Sequence, residues 1–169
     1  MSQREHLFRL NVGFIAHQSV GYSRDFLFEL DRSHLPPDLE LYNLVGQARV
    51  SRTTQGLLVQ VKLSASSSDQ CVRCLKQFEQ ELSPNFTELY AFQSHADEDT
   101  ELILPENGVI DLEPLVREYM LLEIPIKPVC QPDCLGLCPV CGENRNSTDC
   151  DHELESIDPR LAALKSLLD

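Results

Sequence analysis

Five of the seven cysteines and one histidine fall in a single stretch, Cys130 to His152, which reads CQPDCLGLCPVCGENRNSTDCDH. A smaller cluster, CVRC at Cys71 to Cys74, lies far upstream. Cysteines two residues apart let two thiolates from one tight turn reach the same metal ion. The backbone N–H groups of that turn face the sulfurs, and a glycine lets it close. Cys138-Pro139-Val140-Cys141-Gly142 has this form, and Cys71-Val72-Arg73-Cys74 has it without the glycine. Zinc takes four such ligands in a tetrahedron, at about 2.3 Å for sulfur and about 2.0–2.1 Å for imidazole nitrogen. Seven cysteines and His152 make eight candidate ligands, enough for two closed sites. A closed four-ligand site is structural, and its binding free energy, of order 10–16 kcal/mol, is folding free energy.

Several divisions of the eight ligands fit the spacing. Cys71 and Cys74 close with Cys130 and Cys134 in one, tying a sheet to the end of a helix. Cys138, Cys141, Cys150 and His152 then form a local site, C-x2-C followed by C-x-H. A second division puts Cys130, Cys134, Cys138 and Cys141 on one ion. A third pairs Cys71 and Cys74 with Cys138 and Cys141, as two knuckles of a zinc ribbon. The competing reading of any free cysteine is a small buried hydrophobe. It is weakest for Cys138 and Cys141, where Pro139 and Gly142 favour a ligand turn. His152 has acidic neighbours and is the least secure ligand. His6, His17, His34 and His95 form no spaced pair and receive no role.

A chain of 169 residues is expected to be one domain, 1–169, with a real core. Its 42% hydrophobic and 24% charged content is ordinary for a globular protein. No apolar run approaches the roughly 18 residues of a membrane span. The first ten residues, MSQREHLFRL, show no secretory pattern, so the expected location is the cytoplasm. Thiols there stay reduced, and clustered cysteines read as metal ligands.

The net charge of −13 is unevenly spread. Residues 49–76 carry five basic side chains (Arg49, Arg52, Lys62, Arg73 and Lys76) against one acidic. Residues 77–169 carry five basic and twenty acidic ones. An acidic chain repels nucleic acid at long range. The five basic residues are therefore the candidates for phosphate contact or partner binding, with ordinary solvation as the bland alternative. The acidic remainder suits a basic protein.

The elements that must position these groups read as α+β. Residues 1–110 are expected to be mainly β, an antiparallel sheet core. An early strand is expected within 3–17, with Phe8, Leu10, Val12 and Phe14 on one face. Phe26 to Leu30 is a short strand candidate, and His34-Leu35-Pro36-Pro37 breaks regular structure. Thr53-Thr54-Gln55-Gly56 is a turn. Leu57, Val59, Val61 and Leu63 alternate with polar residues, suggesting a hairpin over about 46–63. CVRC falls at a strand-to-strand turn. Asp111 is an N-cap for a helix over 111–125, whose Leu112, Leu115, Val116, Tyr119 and Leu122 share a face until Pro125 stops it. A loop-rich metal lobe spans 126–157. Asp158-Pro159 opens a C-terminal helix over 158–169.

Catalytic readings lack their motifs. There is no HExxH, and no H-x-E precedes the Cys138 knuckle as a zinc deaminase requires. A thioredoxin-like CxxC should open a helix of a βαβ unit, and neither pair does. No Walker or GxGxxG pattern occurs. A metal-dependent hydrolase or nuclease using the C-terminal carboxylates, and a thiol redox protein, are the alternative functions.

The motifs also resemble a family. A mid-chain CxRC is followed by an acidic linker and a helix opening DLEPLVREYMLLEIP. Then come PVCQPDCLGLCPVCGENRN, a Cys-x-His, and DPRLAALKSLL. Over roughly residues 40–169 this order resembles the YceD, or large ribosomal RNA subunit accumulation protein, family. The resemblance implies a role in large-subunit (23S) ribosomal RNA processing and accumulation, hence ribosome biogenesis, and leaves the chemistry open. With the ligand inventory, the expected protein is a non-catalytic factor holding one or two zinc ions, with ribosomal RNA, a ribosomal protein or a processing factor as partner. The resemblance also implies two separable ligand groups, because shorter members lack GLCxxCG and keep the other pairs.

Overall fold

The computed structural model describes residues 8–98, 100–150 and 152. The chain opens with β1 (Arg9–Asn11) and a single helical turn, α1 (Gly13–Ala16). Three long strands follow: β2 (Ser23–Leu35), β3 (Leu39–Arg52) and β4 (Gly56–Gln70). Two shorter ones, β5 (Gln77–Leu82) and β6 (Asn85–Ala91), come next. β7 (Val109–Asp111) leads into α2 (Glu113–Glu123). The architecture is α+β, an antiparallel sheet with few helices and a cysteine-rich lobe toward the C-terminus.

β2, β3 and β4 pair in succession. The outer edge of β4 is shared. Its first half, Gly56 to Lys62, pairs with β6, and its second half, Ala65 to Gln70, pairs with β5. β4 therefore runs from the core to the metal lobe, with Cys71 at its end. Along it, Leu57, Val59, Val61, Leu63 and Ala65 are buried, while Gln60, Lys62 and Ser64 are exposed. That period of two puts one face on the core and one in solvent. The β3–β4 turn closes through Thr53, whose N–H and hydroxyl both reach the Gly56 carbonyl oxygen, at 2.9 Å each.

α2 covers the core face. Leu112, Val116 and Met120 are fully buried, a four-residue spacing that makes one stripe. Tyr119 stacks on Phe86 of β6, with centroids 4.1 Å apart, and its hydroxyl donates to Glu88 at 2.6 Å. Asp111 Oδ1 accepts from the Glu113 N–H at 3.0 Å, so it caps the first turn from two residues upstream.

The expected elements differ in four places. The early strand is only three residues long, because Val12 turns the chain into α1; Phe14 leaves the face of Phe8, Leu10 and Val12 and is exposed. Phe26 to Leu30 is the middle of a 13-residue strand, held along its length by β3. His34 and Leu35 belong to that strand, and the turn begins at Pro36. Leu122 is 73% exposed and Met120 takes its place on the buried stripe. The expected C-terminal helix over 158–169 lies outside the described residues. Among the described residues, no helix is long and apolar enough to cross a membrane.

Candidate metal centres

The two CxxC turns are the same structure built twice. The Leu75 N–H donates to the Cys71 carbonyl oxygen at 2.9 Å, and the Gly142 N–H donates to that of Cys138 at 2.8 Å. The Cys71 N–H donates to the Lys76 carbonyl at 3.0 Å, and the Cys138 N–H to the Glu143 carbonyl at 2.8 Å. Each turn closes on a residue in the left-handed region, with φ of 59° at Leu75 and 77° at Gly142. Glycine adopts that conformation freely, and leucine does so at a cost. Leu75 is also exposed, and its carbonyl accepts from the Gln70 amide at 2.9 Å.

The fold sorts the eight candidate ligands into two groups of four. Cys71, Cys74, Cys130 and Cys134 form one, and Cys138, Cys141, Cys150 and His152 the other. Within each, all ligand atoms lie within 4.8 Å of one another. The competing divisions are not what the fold brings together. In the first group Cys71 Sγ is 3.8 Å from Cys134 Sγ, and Cys74 Sγ is 3.6 Å from Cys130 Sγ. A tetrahedron with bonds of about 2.3 Å has edges of about 3.8 Å, so these two sulfur pairs have the spacing of a tetrahedral zinc site. A disulfide needs about 2.05 Å, and all seven cysteines are free. In the second group Cys138 Sγ is 3.9 Å from His152 Nδ1. A tetrahedral sulfur–nitrogen edge is about 3.6 Å, so this group is slightly wider than a metal-drawn one.

Thiol ionisation follows the backbone. Burial raises the Cys71 pKa, but N–H groups at Cys130, Cys74 and Arg73 donate to it and win, holding it at about 6. The N–H groups of Cys141 and Val140 bring Cys138 to about 6 against the opposing effect of burial. Burial pushes Cys130 up to about 12, as does its role as donor to the neighbouring sulfurs. Cys150 is likewise raised, chiefly as a donor to Cys138. Each group thus favours one thiolate, Cys71 or Cys138, and holds one thiol, Cys130 or Cys150, in its protonated form. A divalent cation among them is what allows all to ionise. The donor sets, four sulfurs in one and three sulfurs with an imidazole in the other, are those of structural zinc.

The lobe docks on the first knuckle through Arg73. Its Nη1 donates to the Cys134 carbonyl at 2.9 Å and reaches that of Pro132 at 3.4 Å. Its carbonyl accepts from the Leu137 N–H at 3.1 Å. Gly136 packs so close that an added Cβ would stand 3.1 Å from that carbonyl oxygen. The Val72 N–H donates to the Pro128 carbonyl at 2.9 Å.

Asn144 and Asn146, which ligand spacing gave no reason to single out, join the two groups. Both lie in the loop between Cys141 and Cys150. The Asn146 amide donates to Cys134 Sγ at 3.3 Å and to Asn144 Oδ1 at 2.7 Å. Its Oδ1 accepts from the Leu135 N–H at 2.8 Å. A residue of the second loop therefore supports a ligand of the first group. The available signal was two asparagines separated by one residue in the polar loop Gly142 to Asp149.

The five basic candidates are contiguous in sequence and dispersed in space. Arg49 makes a two-pronged contact with Asp25 at 2.7 and 2.9 Å on the exposed sheet face. Lys62 occupies the same face one pair along, since Gln47 faces Lys62 and Arg49 faces Gln60. Arg52 is half-buried beside Phe92. Arg73 straps the lobe. Lys62 and Lys76 are exposed and form no ion pair among the described residues.

A family model described as Large ribosomal RNA subunit accumulation protein YceD matches residues 59–168, a span that contains all eight candidate ligands. An uncharacterized protein of Mycobacterium tuberculosis is 37% identical over 124 residues, covering 71% of this chain and 59% of that protein. The uncharacterized protein YlbN of Bacillus subtilis is 33% identical over 100 residues, 58% of each. A chloroplastic protein of Zea mays, called a homolog of the large ribosomal RNA subunit accumulation protein, is 46% identical over 39 residues. That match covers 23% of this chain and 13% of the maize protein. The chain spans less than two thirds of the length of these relatives. No solved structure matches. Ordered cysteine motifs, their convergence in space and a match over well over half of its length agree: the chain belongs to the YceD family of large ribosomal RNA subunit accumulation proteins.

Proposed function

We propose that this protein is a non-catalytic, zinc-binding factor in the processing and accumulation of large-subunit (23S) ribosomal RNA. It acts as a single cytoplasmic domain during ribosome biogenesis. The family match carries the process. The two closed ligand groups support a structural use of the metal. Four cysteine sulfurs fill a tetrahedron and leave no position for a reacting water. Among the described residues these two are the only groups of acidic, cysteine or histidine side chains gathered closely enough to hold a metal, so the nuclease alternative gains no support.

The partner in this reading is ribosomal RNA, a ribosomal protein or a processing factor. Lys62 and Lys76 are the cations freest to meet phosphates. The acidic C-terminal half favours a basic ribosomal protein. Depleting the protein is expected to lower 23S relative to 16S ribosomal RNA, and unchanged ratios with normal RNA ends would refute the reading. Native mass spectrometry on chelator-free protein is expected to find two zinc ions per chain. Lys62→Glu with Lys76→Glu is expected to weaken ribosomal RNA binding at low salt. Phosphate contacts are salt-dependent, so that difference should vanish at high salt.

A further inference from the structure

β2 is an outermost strand of the five-stranded sheet, and β3 is its one sheet neighbour among the described residues. Antiparallel partners alternate between pairs that exchange backbone hydrogen bonds and pairs that do not. At the start of the β2–β3 register the Arg52 N–H donates to the Tyr22 carbonyl at 2.8 Å. The pairs bonded to β3 therefore continue through the even-numbered residues of β2: Arg24 with Val50, Phe26 with Ala48, Phe28 with Gly46. The odd-numbered residues Asp25, Leu27 and Glu29 turn their N–H and carbonyl groups away from β3. Among the described residues no strand or loop backbone meets them there.

A long free edge of this kind is a template for pairing, and proteins guard such edges with charge. The side chains of the same three residues lie on the solvent face of the sheet. Leu27 is 79% exposed, and Val45, which faces Glu29 across the strand pair, is 47% exposed. Leu27 and Val45 are diagonal neighbours, so an apolar pair stands at the open edge. Asp25 and Glu29 flank Leu27 on its own strand. Asp25 is held by Arg49, and Glu29 forms no ion pair among the described residues. On the opposite face Phe26 packs against the core and is only half-buried.

We infer that the free edge of β2 accepts an added antiparallel strand from another protein, an extended basic segment. In strand addition the backbone bonds give affinity and alternate side chains give specificity. The partners of Asp25, Leu27 and Glu29 stand directly across from them on the solvent face. Cations across Asp25 and Glu29 and an apolar residue across Leu27 complete that face. Apolar residues at the two positions between them fall beside Phe26 and Phe28. The segment thus reads basic, three apolar, basic. A second copy of this chain does not supply it. β2 paired with itself about Leu27 sets Asp25 against Glu29 twice, and pairing about Asp25 or Glu29 sets a carboxylate against its own copy. Like charges directly opposed destabilise a strand pair. The net charge of −13 adds long-range attraction for a basic strand. This deepens the reading above by naming its partner as a basic protein, and rests on that reading only for the partner's place in ribosome biogenesis.

Fluorescence anisotropy of a labelled peptide, SKVLVKS, against the zinc-loaded full chain tests the edge. Its charge-inverted form, SEVLVES, is expected to bind at least about tenfold more weakly, because two opposed pairs change sign. Glu29→Lys is expected to weaken SKVLVKS and strengthen SEVLVES. Leu27→Pro removes an outward N–H and leaves the bonds to β3 in place, so it is expected to abolish binding at unchanged zinc content. Should Leu27→Pro fail to fold, methylating the central leucine nitrogen of SKVLVKS removes the facing donor from the peptide instead, with the same loss expected. No binding of SKVLVKS at millimolar concentration, equal binding of the two peptides, or undiminished binding of the methylated one would overturn the inference. A homodimer in sedimentation that Glu29→Lys dissociates would assign the edge to a second copy and overturn it as well. If depletion leaves 23S levels unchanged while the peptide still binds, the RNA-processing reading falls and the edge stands. If depletion lowers 23S and the peptide does not bind, the edge alone falls.

Discussion

The two cysteine groups share a turn and differ in what surrounds it. In the first, Cys71, Cys74 and Cys134 are buried and Cys130 is half-buried. Its ligands come from the end of the long β4 strand and from a loop about sixty residues later, so closing it joins the sheet to the lobe. In the second, Cys141 and His152 are exposed and Cys138 alone is buried. All its ligands lie within fifteen residues, so closing it orders only its own loop. The same local chemistry thus serves long-range closure in one place and local ordering in the other. Loop-closure entropy makes the distant group harder to assemble and more consequential to lose.

Breaking one ligand in each group gives the largest expected contrast. Cys74→Ser is expected to remove one zinc and several kcal/mol of stability, a fall of more than about 10 °C in Tm. Cys141→Ser is expected to remove one zinc with less than about a third of that fall, and a chelator should empty the second group of the wild type first. Native mass spectrometry and thermal circular dichroism read both. Equal losses would mean that burial does not separate the groups.

The bridge between the groups is next in size. Asn146→Ala is expected to weaken zinc at the first group by about 10–100-fold, as removal of a supporting hydrogen bond to a ligand does. Competition with a chromogenic chelator measures it. An unchanged first-group affinity would make the groups independent.

Acid acts on both groups through the thiolates. In the metal-free protein, Cys71 and Cys138 ionise at about 6 rather than at the ordinary 9.0. Their depressed values contribute stability that is complete above pH 9, declines below it, and is lost as pH falls through about 6. Thiolate absorbance at 240 nm in the apoprotein is expected to show two thiolates per chain forming near pH 6. A single transition near pH 9 would remove the backbone donation as its cause.

The smallest effect compares the turns themselves. Leu75→Gly relieves left-handed strain of about 1 kcal/mol, and Gly142→Leu introduces about as much. Urea midpoints are expected to move in opposite directions. Movement in the same direction would mean that the two turns are not equivalent.

Much of this molecule is legible in particular residues. The alternation Leu57, Val59, Val61, Leu63 identifies β4, because a half-buried strand repeats every two residues. Cys138-Pro139-Val140-Cys141-Gly142 identifies the second knuckle, because everything it needs is local. β2 was harder to see. Charged residues such as Asp25, Glu29, Asp31 and Arg32 interrupt its apolar pattern, and pairing with β3 holds it over its whole length. Apolar spacing alone puts Leu122 on the helix face, and Met120 is apolar as well; only the packing of α2 on the sheet decides that Met120 is buried and Leu122 exposed.

By itself, the amino-acid sequence determined the knuckles, the ligand inventory, the antiparallel sheet and the family, since each rests on spacings of a few residues or on ordered motifs. The tertiary structure alone decided which cysteines share a site. It decided that Asn146 supports a sulfur of the other group and that a contiguous basic segment is divided among a sheet face, the ring of Phe92 and a strap. These depend on segments far apart in the chain. Their distances are set by strand register and by the docking of the lobe on Arg73, neither of which local residue types encode.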